Sequence, residues 1–145
     1  MKSVVVGWVE GEIIKSPHWN PGSWVPEKQR LAILDHMETF GSWAYPSSFE
    51  AVNDPLLWMQ NGGKELEVYG TWKEFCVADV SANAVGGGYT VYVPENLSVC
   101  YPGKPLPLLP RQVESKLGIY YPDMKSTLEV EFYGDAWVFR LVPPD

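Results

Sequence analysis

Apolar and polar residues alternate near both ends of the chain, and between them apolar residues recur at helical spacing. Val4, Val6 and Trp8 alternate with Ser3, Val5 and Gly7, which predicts a strand over residues 3–9 that can extend to Ile14. Leu31, Leu34, Met37 and Phe40, with Ile33 beside them, fall at helical spacing. Pro26 suits the start of that helix and Gly41 its C-cap. Ser47 and Glu50 form a capping-box pattern, Asp54-Pro55 interrupts or restarts the segment, and Asn61-Gly62-Gly63 ends it.

The second half opens on Glu65, Glu67 and Tyr69, which share one face of a predicted strand, with Leu66 and Val68 on the other. Further strands are expected over 75–80, 89–93 and, shorter, 97–101. Leu109, Val113 and Leu117 recur every four residues after the Pro-rich stretch 102–110. They predict a helix stopped by Gly118. The chain closes with strands near 126–133 and 136–142.

One pattern occurs twice. Glu65 and Glu67 lead into Tyr69-Gly70 and Trp72, and Glu129 and Glu131 lead into Tyr133-Gly134 and Trp137. The second copy can be registered residue by residue. A two-residue loop at Gly134-Asp135, read as type II′ because Gly comes first, sets Tyr133 opposite Ala136 and Phe132 opposite Trp137. It also sets Val130 opposite Phe139, Leu128 opposite Leu141, and Glu129 opposite Arg140. One face is then apolar, Trp137 falls in the core, and the other face carries an ion pair. The same loop at Gly70-Thr71 would oppose Glu67 to Glu74. The first copy is therefore expected to close by a longer loop or a bulge.

These elements predict an α+β fold: an antiparallel or mixed β-sheet with two or three helices packed on one face. The 145 residues suit a single globular domain spanning 1–145, large enough to fold without a metal or disulfide. A net charge of −7 with no Lys/Arg cluster argues against nucleic acid as a partner. The N-terminus lacks a signal-peptide pattern and no apolar run approaches a bilayer span, so a cytoplasmic location without membrane association is expected. Cys76 and Cys100 are then expected as reduced, buried, small apolar residues.

Candidate chemistry is sparse. The only histidines are His18 and His36, far apart in sequence, and no Cys-x-x-Cys spacing exists, so no metal and no cofactor is expected. No Gly-x-Ser-x-Gly elbow is present. Gly86-Gly87-Gly88 lacks the Lys-Ser/Thr of a phosphate loop and reads as a turn or a lid. Pro107 to Pro110 matches a PxxP ligand, but Leu108 and Leu109 read better as core anchors. Carboxylates stand two apart at Glu10/Glu12, Glu65/Glu67 and Glu129/Glu131, and would crowd one sheet face if their strands shared an orientation.

The leading expectation is therefore binding without catalysis: a small acidic inhibitor, such as a bacterial immunity protein that neutralises a basic toxin enzyme. Glu65, Glu67, Glu74, Glu129 and Glu131 would supply charge, and Tyr69, Trp72, Tyr133, Trp19 and Trp24 the aromatic anchors. The alternative is a small-ligand module or enzyme with a pocket between sheet and helices. Trp8, Trp19, Trp24 and the triple glycine would form its mouth, and Glu10 or Glu12 would be its acid or base. A structural subunit that self-associates through its acidic strands is the third reading.

Overall fold

A computed structural model describes residues 1–9, 12–13, 25–59, 64–99 and 109–144. Its centre is a mixed seven-stranded sheet. The strands are β1 (Lys2–Val6), β4 (Trp43–Tyr45), β5 (Glu65–Thr71), β6 (Thr90–Pro94), β7 (Ser98–Val99), β8 (Thr127–Tyr133) and β9 (Ala136–Val142). The order is β4-β1-β5-β6-β9-β8, with β7 also pairing with β5. Contacts among β4, β1, β5, β6 and β7 are parallel, whereas β9 runs antiparallel to both β6 and β8. A small separate ribbon pairs β2 (Trp8–Val9) with β3 (Glu12–Ile13).

Both faces of the sheet are covered where the strands are parallel. Val4, Val6, Leu66, Val68, Val91, Val93 and Phe139 form the main core with α4 (Ala78–Gly86) and α5 (Leu109–Tyr120). Leu109, Val113 and Leu117 are buried there, as their four-residue spacing predicts. The helix continues past Gly118 to Tyr120, because Gly118 does not take the left-handed conformation in which a C-cap glycine ends a helix. On the opposite face, α1 (Glu27–Phe40) buries Ile33 against Val5, Tyr69 and Trp72. This helix begins one residue after Pro26 and ends on Gly41 in the left-handed conformation, φ 58°. The short helices α2 (Ser48–Val52) and α3 (Pro55–Trp58) follow β4. Asp54 caps α3 by accepting from the backbone N–H of Leu56, while the Ser47 hydroxyl bonds the Glu50 carboxylate.

Two expectations are corrected here. The segment 75–80 is helical, not a strand: a π-helical turn (Lys73–Val77) leads directly into α4. A short apolar run reads equally well as a buried helix, and Val77, Ala78, Val80, Ala82 and Ala84 are all buried on it. The first copy of the repeated pattern is also no hairpin. Strand β5 lies inside the sheet between β1 and β6, and the chain leaves it through the π-helical turn and returns along α4. A side chain on Gly70 would stand 2.1 Å from the Val6 carbonyl oxygen, which is why the pattern needs glycine there.

The second copy forms the hairpin in the predicted register, including Glu129 opposite Arg140. Its turn is type I′, not II′, because Gly134 and Asp135 both have positive φ, 60° and 64°. Trp137 is half-buried against the core and donates its indole N–H to Glu95 Oε2 at 2.6 Å. The apolar face opens towards the turn, where Phe132 is 51% exposed. The Pro-rich stretch lies mostly outside the described residues.

Candidate functional site

Register and alternation place Glu65, Glu67, Glu129 and Glu131 on one and the same face of the sheet. The rows across that face read Glu65–Thr90–Arg140–Glu129 and Ser3–Glu67–Tyr92–Val138–Glu131. Three strand spacings, roughly 14 Å, separate β5 from β8. Arg140 binds Glu129 at 2.9 Å and Glu131 at 3.2 Å, so this trio retains one negative charge. The Tyr92 hydroxyl points to Glu65 at 3.5 Å, and burial followed by the Glu65 charge raises its pKa. Tyr133 is 76% exposed at the end of this face.

The other residues expected on a binding surface are placed differently. Tyr69 and Trp72 are buried under α1 and cannot serve as exposed anchors, because β5 is an interior strand covered on this face. Trp19 and Trp24 lie outside the described residues, as do Glu10 and the side chains of Glu12 and Glu74. Trp8 stands beyond the carboxyl end of β1, while the triple glycine precedes the amino end of β6. In a parallel sheet these are opposite ends, so they form no common pocket mouth. Gly87 instead lines an open groove with Trp58, Lys64, Tyr89 and Tyr121.

Glu67 has a role that sequence reasoning missed. Its Oε1 accepts from the Ser3 hydroxyl and meets His36 Nε2, each at 2.6 Å. Ser42 donates to the Ser3 hydroxyl at 2.9 Å and lies 2.6 Å from the Tyr69 hydroxyl. Burial raises the Tyr69 pKa against the opposing pull of the Ser42 and Ser3 hydroxyls. A histidine on α1, serines on β1 and beside β4, and a carboxylate and phenol on β5 thus close one polar network. His36 reads as a helix surface or boundary residue in sequence, because nothing local shows that β5 lies under it. Serine and histidine both bind the carboxylate instead of each other, so the arrangement holds α1 on the sheet and does not activate a hydroxyl.

A second constellation follows from topology. From adjacent parallel strands, β1 returns through α1 to β4 on one side, and β5 returns through α4 to β6 on the other. The two helices lie on opposite faces. The carboxyl ends of β1 and β5 therefore form a topological switch point. Gly7, with φ 86°, and Gly70, with φ 117°, sit there, and β7 brings Val99 beside Thr71. The Thr71 hydroxyl is buried, with no hydrogen-bond partner among the described residues. The π-helical turn starts two residues later and carries Cys76, a free and part-exposed thiol. No local motif marks this place, since it exists only once β1 and β5 are paired.

Among the described residues no three His, Cys, Asp or Glu side chains gather as a metal site. No described helix is long and apolar enough to cross a membrane. Neither a protein-family model, nor a curated protein, nor a solved structure matches this chain.

Proposed function

We propose that the chain binds a small ligand at the carboxyl ends of β1 and β5, with Cys76, five residues after Thr71, as the chemical reporter of the site. The observation that carries this reading is the switch point. Neighbouring parallel strands whose crossovers diverge to opposite faces form a switch point at their carboxyl ends, and open parallel sheets take ligands at such points. Gly7 and Gly70 let the two strand ends approach closely, since a side chain would stand 2.0 Å from the Thr71 Oγ1 or 2.1 Å from the Val6 carbonyl oxygen. The Thr71 hydroxyl is buried and has no hydrogen-bond partner among the described residues. The helical run from Lys73 to Gly86 starts at this end, and the field of a helix N-terminus favours an anionic group. Cys76, in the first turn of that run, is a free, part-exposed thiol that alkylation can report on.

The test is a thermal-shift screen of small carboxylates, phosphates and amides, followed by amide chemical shifts. A ligand of this site perturbs Val6, Gly7, Gly70 and Thr71, loses its effect in Thr71→Val, and slows iodoacetamide alkylation of Cys76, with Cys76→Ser as the blank. Ligands that perturb only other surfaces, or that leave alkylation unchanged, overturn the assignment.

A second reading is favoured by Glu65, Glu129 and Glu131, exposed on one sheet face of a chain of net charge −7. This face would dock a basic protein, in the manner of an acidic inhibitor such as a bacterial immunity protein. Binding that weakens steeply with salt and with Glu129→Lys supports it. Binding indifferent to both sinks it.

A further inference from the structure

We infer that the free edge of β8 takes up an extended basic segment of a partner protein as an added antiparallel strand. The inference rests on the acidic-face reading for the partner's charge and adds how the partner is held. Strand β8 ends the sheet and is seven residues long, whereas β4 at the other end has three. Among the described residues no strand pairs with its outer edge, which is the longer row of backbone groups open to pairing.

The two-residue turn decides which groups these are. In such a hairpin the residues flanking the turn exchange both hydrogen bonds, and bonded pairs then alternate. Tyr133–Ala136, Glu131–Val138 and Glu129–Arg140 are the bonded pairs of β8 and β9. The N–H and C=O groups of Leu128, Val130 and Phe132 consequently point outward. An incoming antiparallel strand bonds to those residues, and its alternate side chains fall beside Glu129 and Glu131. These are non-bonded pairs, where Cα atoms come within about 4.5 Å and side chains interact most closely.

The chemistry of the occupant follows. Beside Glu129 and Glu131, which are 48% and 53% exposed at their side chains, it needs Lys or Arg. Beside Leu128, Val130 and Phe132 it needs apolar residues that extend the core face over the half-exposed Phe132. The partner segment therefore alternates basic and apolar residues. A second copy of β8 is the wrong occupant. The three registers that overlap the strands most fully set Glu129 against Glu129, Glu129 against Glu131, or Glu131 against Glu131, and like charges so placed repel. This is a strand that rejects itself and accepts its electrostatic complement.

The probe is an end-blocked peptide of alternating Lys and Val, in two isomers, one N-methylated at the Val residues and one at the Lys residues. Both isomers carry the same charge. Only methylation at Val blocks the N–H groups that face β8. The expected result is binding at low salt by the parent peptide and the Lys-methylated isomer, with at least tenfold loss in the Val-methylated one. Exchange of the Leu128, Val130 and Phe132 amides should slow at least tenfold at saturation. Val130→Pro, which removes an outward N–H and no ladder bond to β9, should weaken the parent peptide at least tenfold. Equal binding of both isomers without amide protection, while Glu129 and Glu131 shift, overturns strand addition and leaves docking on the face. No binding at low salt overturns both. Protection of the same amides in the protein alone, growing with concentration, assigns the edge to a second copy and overturns the inference.

Discussion

A side chain added to Gly7 would stand 2.0 Å from the Thr71 Oγ1, across the gap between the carboxyl ends of β1 and β5. Gly7 and Gly70 both hold positive φ, so each resists substitution by conformation as well as by space. Gly7→Ala and Gly70→Ala should each lose at least about 2 kcal/mol in urea denaturation. Gly118→Ala, inside α5 with open space around it, should gain about 0.5–1 kcal/mol. Equal effects at the three positions would contradict the close approach.

Glu67 and Glu65 stand two apart on one face but should behave differently. Glu67→Ala leaves the Ser3 hydroxyl and His36 without their acceptor, at a cost of about 1–3 kcal/mol. Glu65→Ala, at an exposed position, should change stability by less than about 0.5 kcal/mol. A cycle that pairs Glu67→Ala with His36→Ala should show coupling, and additive losses would refute the network.

Phe139 is fully buried while Phe132, on the same hairpin face, is half-exposed against Trp137. Phe139→Ala should cost about 3–5 kcal/mol. Phe132→Ala should cost well under half of that, with a change in Trp137 fluorescence. Glu129 and Glu131 share Arg140 at the surface, so Arg140→Ala should cost at most about 1 kcal/mol.

Alkaline pH should unfold the protein earlier than its acidic charge alone suggests. The Tyr120 hydroxyl donates to Asp79, which holds its pKa at about 12, and burial raises Tyr45, Tyr69 and Tyr92. A pKa raised in the folded state contributes stability below the unfolded value near 10 and loses it as pH climbs towards the folded value. The urea midpoint should therefore fall above pH 10, less steeply in Tyr120→Phe. A flat profile between pH 10 and 12 would contradict these environments.

What could be read without the structure was local in origin. A two-residue turn and the alternation of Leu128 to Tyr133 leave one register that buries one face, so the hairpin partners followed residue by residue. Only the turn type needed the backbone, since Gly-first loops serve both primed classes. Helix α1 stands where apolar spacing and Gly41 placed it, though Leu31 and Phe40 are exposed and Ile33 is its buried residue, and α5 followed from Leu109, Val113 and Leu117.

What could not be read was pairing between distant segments. Nothing near Glu65–Thr71 says that the strand is interior, parallel and covered on both faces. Tyr69 and Trp72 looked like surface anchors for that reason, and 75–80 looked like another strand when it is the way into α4. His36 gained its carboxylate, and Gly7 and Gly70 their close neighbours, only when β1 and β5 met. The sequence by itself determined periodicity, turns and the charge of each strand face, because these depend on residues a few positions apart. Tertiary structure alone decided strand order, which faces are covered and where crossovers diverge, because these arise from burial shared among segments far apart in the chain.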